Sequence, residues 1–491
     1  MTDLDVLTAW GIRPVGPLPE PPRLQAAPPR PTRAPLAARP ATQVPVLWLA
    51  YQAAVIVMLL TYVWRFQQLY GWLAKFHPVE LSTGLAALLL LATGGVARLR
   101  SILGTPVFLG ALFLLVQMVL SIPGGVYPGL SLSFLLRDHI KTFMLLLFVA
   151  LAVRSPADAR RLALAHVVGA LAYSRAVLAH APAVADVRLQ TLIYYDANDY
   201  AMLLVCTLPF AFYFIAPPRR LRVRLLAAGV VGYFIYGIIR SGSRGGFLGV
   251  LTVLAALLAS SAIPWRQRLV GVVGVLGLLN VLAGAGYWTN MKTLLHPSED
   301  YNWAGNSQSG RMEVWKRGIG YMLDRPVLGV GANAFFVAEG KFSPLARQHI
   351  ASRGFKWSAP HNSFVQVGAE LGLIGLFGFI ALLVVAARAA RRLGGRPWDW
   401  LREHPREAAF GQTILISLAG YVVCGFFLTQ AYSAFMHTIY GMLIGLTACA
   451  RAPQLAVAAP RRWRALEFHP AAPRPYPHPA WQPGPGVEAV R

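Results

Sequence analysis

Long runs of apolar residues alternate with short polar connections along most of this 491-residue chain. A helix needs about 20 mainly apolar residues to cross the ~30 Å hydrocarbon layer of a membrane. The pattern therefore predicts an all-α, polytopic integral membrane protein with about twelve transmembrane helices. The runs lie at roughly 46–64, 79–96, 105–122, 138–153, 160–180, 199–216, 221–239, 245–262, 267–286, 362–388, 409–430 and 433–450.

The stretches outside these runs divide the chain into five parts. Residues 1–45 are rich in proline and arginine and are predicted to form a disordered arm, and the proline-rich residues 451–491 a disordered tail. The predicted helices fill residues 46–286 and 362–450. A long polar segment, 287–361, lies between the ninth and tenth helices.

The distribution of arginine predicts the orientation of the helices. The chain is 56% hydrophobic, 13% charged and carries a net charge of +25, and its basic residues lie mostly in short connections. The short connections that follow odd-numbered helices carry few basic residues. The connections that follow even-numbered helices are arginine-rich. Since arginine-rich loops stay in the cytoplasm, both termini are predicted to be cytoplasmic and segment 287–361 to face outward. This placement accounts for the positive charge without a nucleic-acid ligand.

Some cations nevertheless lie at the predicted outer ends of helices. Arg137 and Lys141 begin the fourth helix, and Arg240 and Arg244 connect the seventh to the eighth. Ionisable groups at membrane depth are costly and usually face a cavity or a partner. Together these residues favour an anionic ligand, and phosphate groups would suit it because arginine matches phosphate oxygens in a bidentate manner. Snorkelling of each side chain to the interface is the structural alternative.

The segment "HNSFVQVGAELGLIG", residues 361–375, carries a second set of candidates. Its glycines at 368, 372 and 375 predict a helix face that packs closely on another helix. A histidine at the lip of a membrane cavity, here His361, can accept a proton near neutral pH. The alternative is that His361 merely caps the helix. Its neighbour Asn362 is a supporting candidate for the site.

Two further motifs flank these segments. In "DANDYA", residues 196–201, the acidic residues either cap the following helix or orient a substrate hydroxyl or an arginine, so Asn198 and Asp199 are supporting candidates. In "GRMEVWKRGIGYMLD", residues 310–324, apolar residues recur at helical spacing after Gly310 and predict an amphipathic helix with Arg311 at its start. That helix is either a lid on the membrane surface or a packed helix of the outer segment.

Nucleotide-binding loops, zinc-ligand spacings and serine-hydrolase elbows are missing from the sequence, and no cofactor or metal is predicted. The elements "DANDYA", "SGSRGGF", "GRMEVWKRGIGYMLDRPVLGVG" and "HNSFVQVGAELGLIG" occur in this order. With twelve predicted helices and a long outer loop, they resemble the O-antigen ligase and O-antigen polymerase superfamily, and lipopolysaccharide O-antigen ligases most of all. The resemblance covers roughly residues 45–450. Ala197 stands where the family usually has proline.

The resemblance implies a lipid-donor glycosyltransferase of the GT-C type in a bacterial inner membrane, with its active site at the periplasmic face. Its donor would be a glycan on undecaprenyl pyrophosphate and its acceptor a hydroxyl of lipid A–core oligosaccharide. Carried onto this chain, the family's essential arginine after the seventh helix is Arg244 or Arg240, its outer-loop arginine is Arg311 and its essential histidine is His361. Polymerases and protein O-oligosaccharyltransferases share this pattern, and a transporter of an anionic solute or lipid is an alternative of another class.

Overall fold

The structure is a computed structural model that describes residues 46–180, 189, 195–216, 219–260, 263–296, 298, 300, 302–303, 309–344, 358–394 and 405–458. The predicted disordered arm, residues 1–45, lies outside the described residues, as does the tail from residue 459 onward.

The described part of the chain consists of helices and connections without a strand. Thirteen helices carry the description below: α1 Val46–Tyr62, α2 Pro78–Ala92, α3 Pro106–Ser121, α4 Ile140–Ala152, α5 Pro156–Ala179, α6 Ala197–Ile215, α7 Leu221–Ser241, α8 Arg244–Ala259, α9 Trp265–Leu282, α10 Arg311–Asp324, α11 Ser363–Gly394, α12 Pro405–Gly425 and α13 Ala434–Ala458. Shorter helical pieces lie at Phe66–Leu69, Gly71–Ala74, Gly95–Arg98, Leu99–Leu103, Pro128–Phe134, Leu135–His139, Ala285–Lys292 and Phe335–Phe342.

These helices confirm an all-α, multi-pass membrane protein. Six described helices are long and apolar enough to cross a membrane, and a seventh span is formed if α2 and Gly95–Leu103, bent by 87°, count together. Shorter apolar helices occur at Val46–Tyr62, Pro106–Ser121, Arg244–Ala259 and Ala434–Ala450. The count of twelve spans stays a prediction.

One end of the chain departs from the predicted boundaries. Helix α13 continues past residue 450 to Ala458, into the stretch predicted as a disordered tail.

Helix α6 forms the centre of the packing. It lies against α7, α8 and α12, and its Tyr200, Cys206 and Phe210 side chains are fully buried. Close approach of α8 depends on a small residue, since a Cβ on Gly249 would lie 2.4 Å from the Cys424 sulfur of α12. The start of α6, the end of α7 and the start of α8 consequently meet at one face of the membrane helices.

Helix α11 is broken at Gly372. That residue has φ 74° and ψ −175°, a conformation that only glycine adopts readily. At the break, backbone groups of α11 form hydrogen bonds with the turn that follows α10. The Leu373 N–H donates to the Pro326 carbonyl at 2.7 Å, and the Val330 N–H donates to the Ala369 carbonyl at 2.8 Å. The predicted glycine face is thus partly a backbone contact, while Gly368 packs against Met322 of α10 as a small residue should.

Replacing Gly372 with alanine is expected to destabilise the protein by at least about 2 kcal/mol, because the substitution combines a disfavoured backbone conformation with a Cβ only 2.5 Å from the Pro326 oxygen. The purified variant should unfold at a lower temperature in detergent. Gly274→Ala is the matched control, since nothing lies within 4 Å of a Cβ there. Equal melting temperatures for the two variants would contradict the account of the break.

Candidate active site

The turn between α7 and α8 explains the composition of "SGSRGGF". Gly242 ends α7 with φ 59°, and the Ser243 side chain caps α8 by accepting a bond from the Gly246 N–H at 3.1 Å. A Cβ on Gly246 would lie 2.7 Å from that of Ala201 in α6, so this position needs glycine for packing. The turn places Arg244 at the first position of α8.

A cavity of about 1040 Å³ opens beside this turn. Its walls come from the start of α6, the α7–α8 turn, the segment after α9, the start of α10 and the residues before α11. It brings together Arg244, Arg311 and His361, which the sequence predicts as catalytic. The lining comprises Asp196, Asn198, Gly242, Ser243, Arg244, Gly245, Asn290, Thr293, Asp300, Asn302, Ser309, Arg311, Val314, Ser358, Ala359, His361, Phe427 and Leu428.

Arg244 is held by residues of the segment between α9 and α10. Its guanidinium forms an ion pair with Asp300 and donates to the Thr293 hydroxyl at 2.8 Å. The Asp300 carboxylate also accepts from the Asn302 N–H at 3.0 Å. Asn290 supports the same turn, because its side-chain amide donates to the Gly242 carbonyl at 2.8 Å.

The Asp300 carboxyl is buried yet stays ionised at neutral pH. Burial alone raises its pKa, but hydrogen bonds from Asn302 and Arg244 and the charge of Arg244 together hold the pKa below its ordinary value. Because the pKa of Asp300 is lower in the folded protein than in the unfolded chain, its ionised form stabilises the fold at pH values above the ordinary pKa of aspartate. That contribution is lost only as the pH falls through the native pKa.

We expect Asp300→Asn to lower kcat by about tenfold, because a guanidinium that is no longer held in place stabilises the reacting charge less well. The donor KM should fall as well, since the substitution removes a negative charge from a cavity for an anion. Steady-state kinetics on purified protein measure both. Glu313→Gln, which changes a carboxylate bonded to Lys316 on α10, should leave both constants unchanged. An unchanged kcat in Asp300→Asn would contradict a positioning role.

His361 lines the cavity in an unusual backbone conformation. It has φ 43°, in the left-handed region that is uncommon outside glycine and recurs at functional sites. Its N–H donates to the Thr429 hydroxyl at 2.9 Å. Asn362 caps α11 instead, with its side-chain oxygen accepting from the N–H groups of Phe364 and Val365 at 2.8 and 3.1 Å. The capping alternative therefore applies to Asn362, and His361 faces the cavity.

The amphipathic helix is present as α10, and it is packed. A Cβ on Gly318 would lie 2.5 Å from Val365 of α11, and the Trp315 indole N–H donates to the Pro360 carbonyl at 2.7 Å. Arg317 pairs with the buried carboxylate of Glu339 at 2.6 Å. These contacts favour the packed helix over the lid, and they fix the position of Arg311 at its first turn.

The "DANDYA" motif caps a helix, and part of it also lines the cavity. Asp196 caps α6, its carboxylate accepting from the N–H groups of Asn198 and Asp199, each at 2.7 Å. Asp196 and Asn198 also line the cavity. Asp199 lies behind this wall, where it accepts a bond from the Gln430 amide at 2.9 Å.

Three cations predicted to bind pyrophosphate are not brought to this cavity in the described part of the chain. Arg240 is buried on α7, where it donates to the Tyr236 hydroxyl at 3.0 Å. Lys141 pairs with Glu80 of α2 at 2.8 Å. Arg137 lies in the π-helix Leu135–His139, whose extra residue per turn changes the direction of its side chains. Of the two arginines flanking the α7–α8 turn, the structure thus favours Arg244.

Sequence reasoning missed Asp300, Asn302, Asn290 and Thr293. Acidic residues are scarce, with 20 Asp and Glu against 45 Lys and Arg in the chain. An aspartate in the long polar segment of such a chain is a signal that could have identified a partner for an arginine. Its pairing with Arg244 depends on tertiary contacts that sequence spacing does not show.

A comparison with known proteins identifies one family over part of the chain. Residues 228–380 match the family model described as O-antigen ligase, while no curated protein matches the chain. The matched segment extends from α7 into α11 and carries Arg244, Arg311 and His361. Members of this family are membrane glycosyltransferases of the ligase and polymerase type. Residues 228–380 therefore carry an O-antigen ligase domain, and this match supports the O-antigen ligase superfamily as the origin of the chain.

Proposed function

We propose that the protein is an O-antigen ligase, which transfers a glycan from undecaprenyl pyrophosphate to a hydroxyl of lipid A–core oligosaccharide. The observation that carries this proposal is the meeting of Arg244, Arg311 and His361 in one cavity at the ends of membrane helices. We place this cavity at the periplasmic face of the bacterial inner membrane, with both termini in the cytoplasm, as the arginine distribution predicts.

The two arginines suit the leaving group. Transfer breaks the bond between the anomeric carbon and the pyrophosphate oxygen, and negative charge develops on the departing lipid pyrophosphate. Preorganised cations aimed at such a charge are usually the largest catalytic contribution. Arg244 and Arg311 begin α8 and α10, and backbone N–H groups at helix starts also favour anions.

His361 supplies the other half of the reaction. We assign it as the base that takes the proton from the acceptor hydroxyl as the hydroxyl oxygen bonds to the anomeric carbon. One displacement leaves the new glycosidic bond inverted relative to the donor. Because guanidinium groups provide the charge at the pyrophosphate, we propose that the reaction is independent of metal ions.

Reconstitution tests the proposal. Purified protein in liposomes, supplied with a glycan on undecaprenyl pyrophosphate and with lipid A–core, should form the ligated glycolipid both with and without EDTA. A product in which two lipid-linked glycans have been joined would identify a polymerase. Glycosylation of an added protein acceptor alone would identify an oligosaccharyltransferase. If no acceptor received the glycan, the transporter would be the favoured alternative.

A further inference from the structure

A second cavity, of about 350 Å³, lies next to the cavity that holds Arg244. Its lining is mostly polar and aromatic, whereas the first cavity contains both Arg244 and Arg311. The lining of the second cavity comprises Tyr62, Arg65, Phe134, Asp138, His139, Thr142, Tyr195, Asn333, Gln366, Thr429, Gln430, Tyr432, Ser433 and Ala434.

The two cavities share walls. Tyr195 lines the second cavity and the next residue, Asp196, lines the first. Likewise, Leu428 faces the first cavity and Thr429 the second. Thr429 also accepts the bond from the His361 N–H at 2.9 Å. The backbone of the proposed base is therefore hydrogen-bonded directly to a residue that lines the second cavity.

Three irregular pieces of backbone meet at the second cavity. The π-helix Leu135–His139 contributes Asp138 and His139. Arg65 and Asn333 both have left-handed backbone conformations, with φ of 52° and 55°. Insertions of this kind into helices are rare and frequent at functional sites, and backbone strain clusters at ligand sites too.

His139 is the most informative of the lining residues. It is only 4% exposed, and no hydrogen-bond partner of its Nδ1 is present in the described part of the chain. The rings of Tyr432 and His437 contact it edge to face, with centroids at 5.8 and 5.4 Å, and hold its orientation. A buried polar atom without a partner costs free energy, so a ligand that bonds to it gains affinity.

We propose that the second cavity binds the carbohydrate part of the acceptor and directs its hydroxyl toward His361. This inference rests on the proposed function. The lining offers one guanidinium, one carboxylate and several neutral amides and hydroxyls beside aromatic rings, which suits a hydroxyl-rich ligand. The first cavity, with Arg244 and Arg311, suits the donor's pyrophosphate instead.

The test measures the KM values of donor and acceptor separately, with purified enzyme, lipid-pyrophosphate glycan and lipid A–core as probes. His139→Met removes the ring nitrogens at similar volume and should raise the acceptor KM by about tenfold, the effect of one lost hydrogen bond, while the donor KM stays the same. His139→Asn, whose amide lies near the position of Nδ1, should restore part of the affinity. Asn333→Gly removes another lining amide while keeping the left-handed backbone, and it should raise the acceptor KM too.

His166→Met is the matched control. His166 is fully buried in α5, both of its ring nitrogens are without a hydrogen-bond partner in the described residues, and it is not among the lining residues. Its substitution should leave both KM values unchanged. If wild-type enzyme transfers the glycan but His139→Met and Asn333→Gly both keep the wild-type acceptor KM, the inference is overturned and the proposed function stands. If wild-type enzyme transfers glycan only to a peptide or to no acceptor at all, the proposed function itself is overturned.

Discussion

Arg244→Ala is expected to reduce kcat/KM for glycan transfer by roughly a thousandfold, since removing one preorganised donor from a developing anion costs about 10²–10³ in rate. The loss should be larger than for an isolated surface arginine because Arg244 is fixed by Asp300 and Thr293 beside the cavity. Arg244→Lys keeps the charge but not the planar fork, so it should recover only part of the activity. Transfer is measured on purified, reconstituted protein.

Substitutions of two other arginines test whether the loss in Arg244→Ala is specific to that position or a general effect of removing positive charge. Arg175→Ala, on an exposed position of α5, should leave transfer unchanged. Arg240→Ala should reduce transfer less than Arg244→Ala, because the structure directs Arg240 to Tyr236 and not into the cavity. A greater loss in Arg240→Ala, at equal protein level and membrane insertion, would reverse the assignment of the two arginines.

His361→Ala is the second variant with a large expected effect. Loss of a general base lowers rates by about 10²–10⁴, and we expect a decrease in kcat within that range. The donor KM should change little, because in our proposal Arg244 and Arg311 bind the pyrophosphate and His361 acts on the acceptor. Full activity of purified His361→Ala would remove the assignment as base.

His296→Ala provides the comparison for this variant. His296 is an exposed histidine in the segment after α9 and does not line the cavity. Its replacement should leave kcat unchanged. His361→Gly adds a structural control, because glycine readily adopts the left-handed backbone conformation of that position. Any loss of activity in this variant is then due to the missing imidazole.

Much of the fold could be predicted because the length of the apolar runs reports directly on membrane helices. Each predicted apolar run corresponds to a helix or to a helical stretch in the described residues. The break in α11 could not be predicted, since Gly372 also fits a small-residue helix face. Only the contact with Pro326, distant in sequence, shows that the glycine serves a backbone conformation.

The candidate site could be predicted in part from residue type and position. Arg244 and Arg311 begin helices and His361 lies just before one, and these positions drew attention to them in the sequence. The sequence did not separate Arg244 from Arg240, because four residues in a turn give little information about direction. Asp300 and the second cavity depend on segments that meet only in the folded chain.

The most direct measurement is an experimental structure of the protein with undecaprenyl pyrophosphate bound. We expect the diphosphate between Arg244 and Arg311 in the first cavity, within hydrogen-bond distance of both guanidinium groups, and the lipid chain leaving toward the membrane. A diphosphate that occupies another site, with both arginines remote from it, would contradict the account.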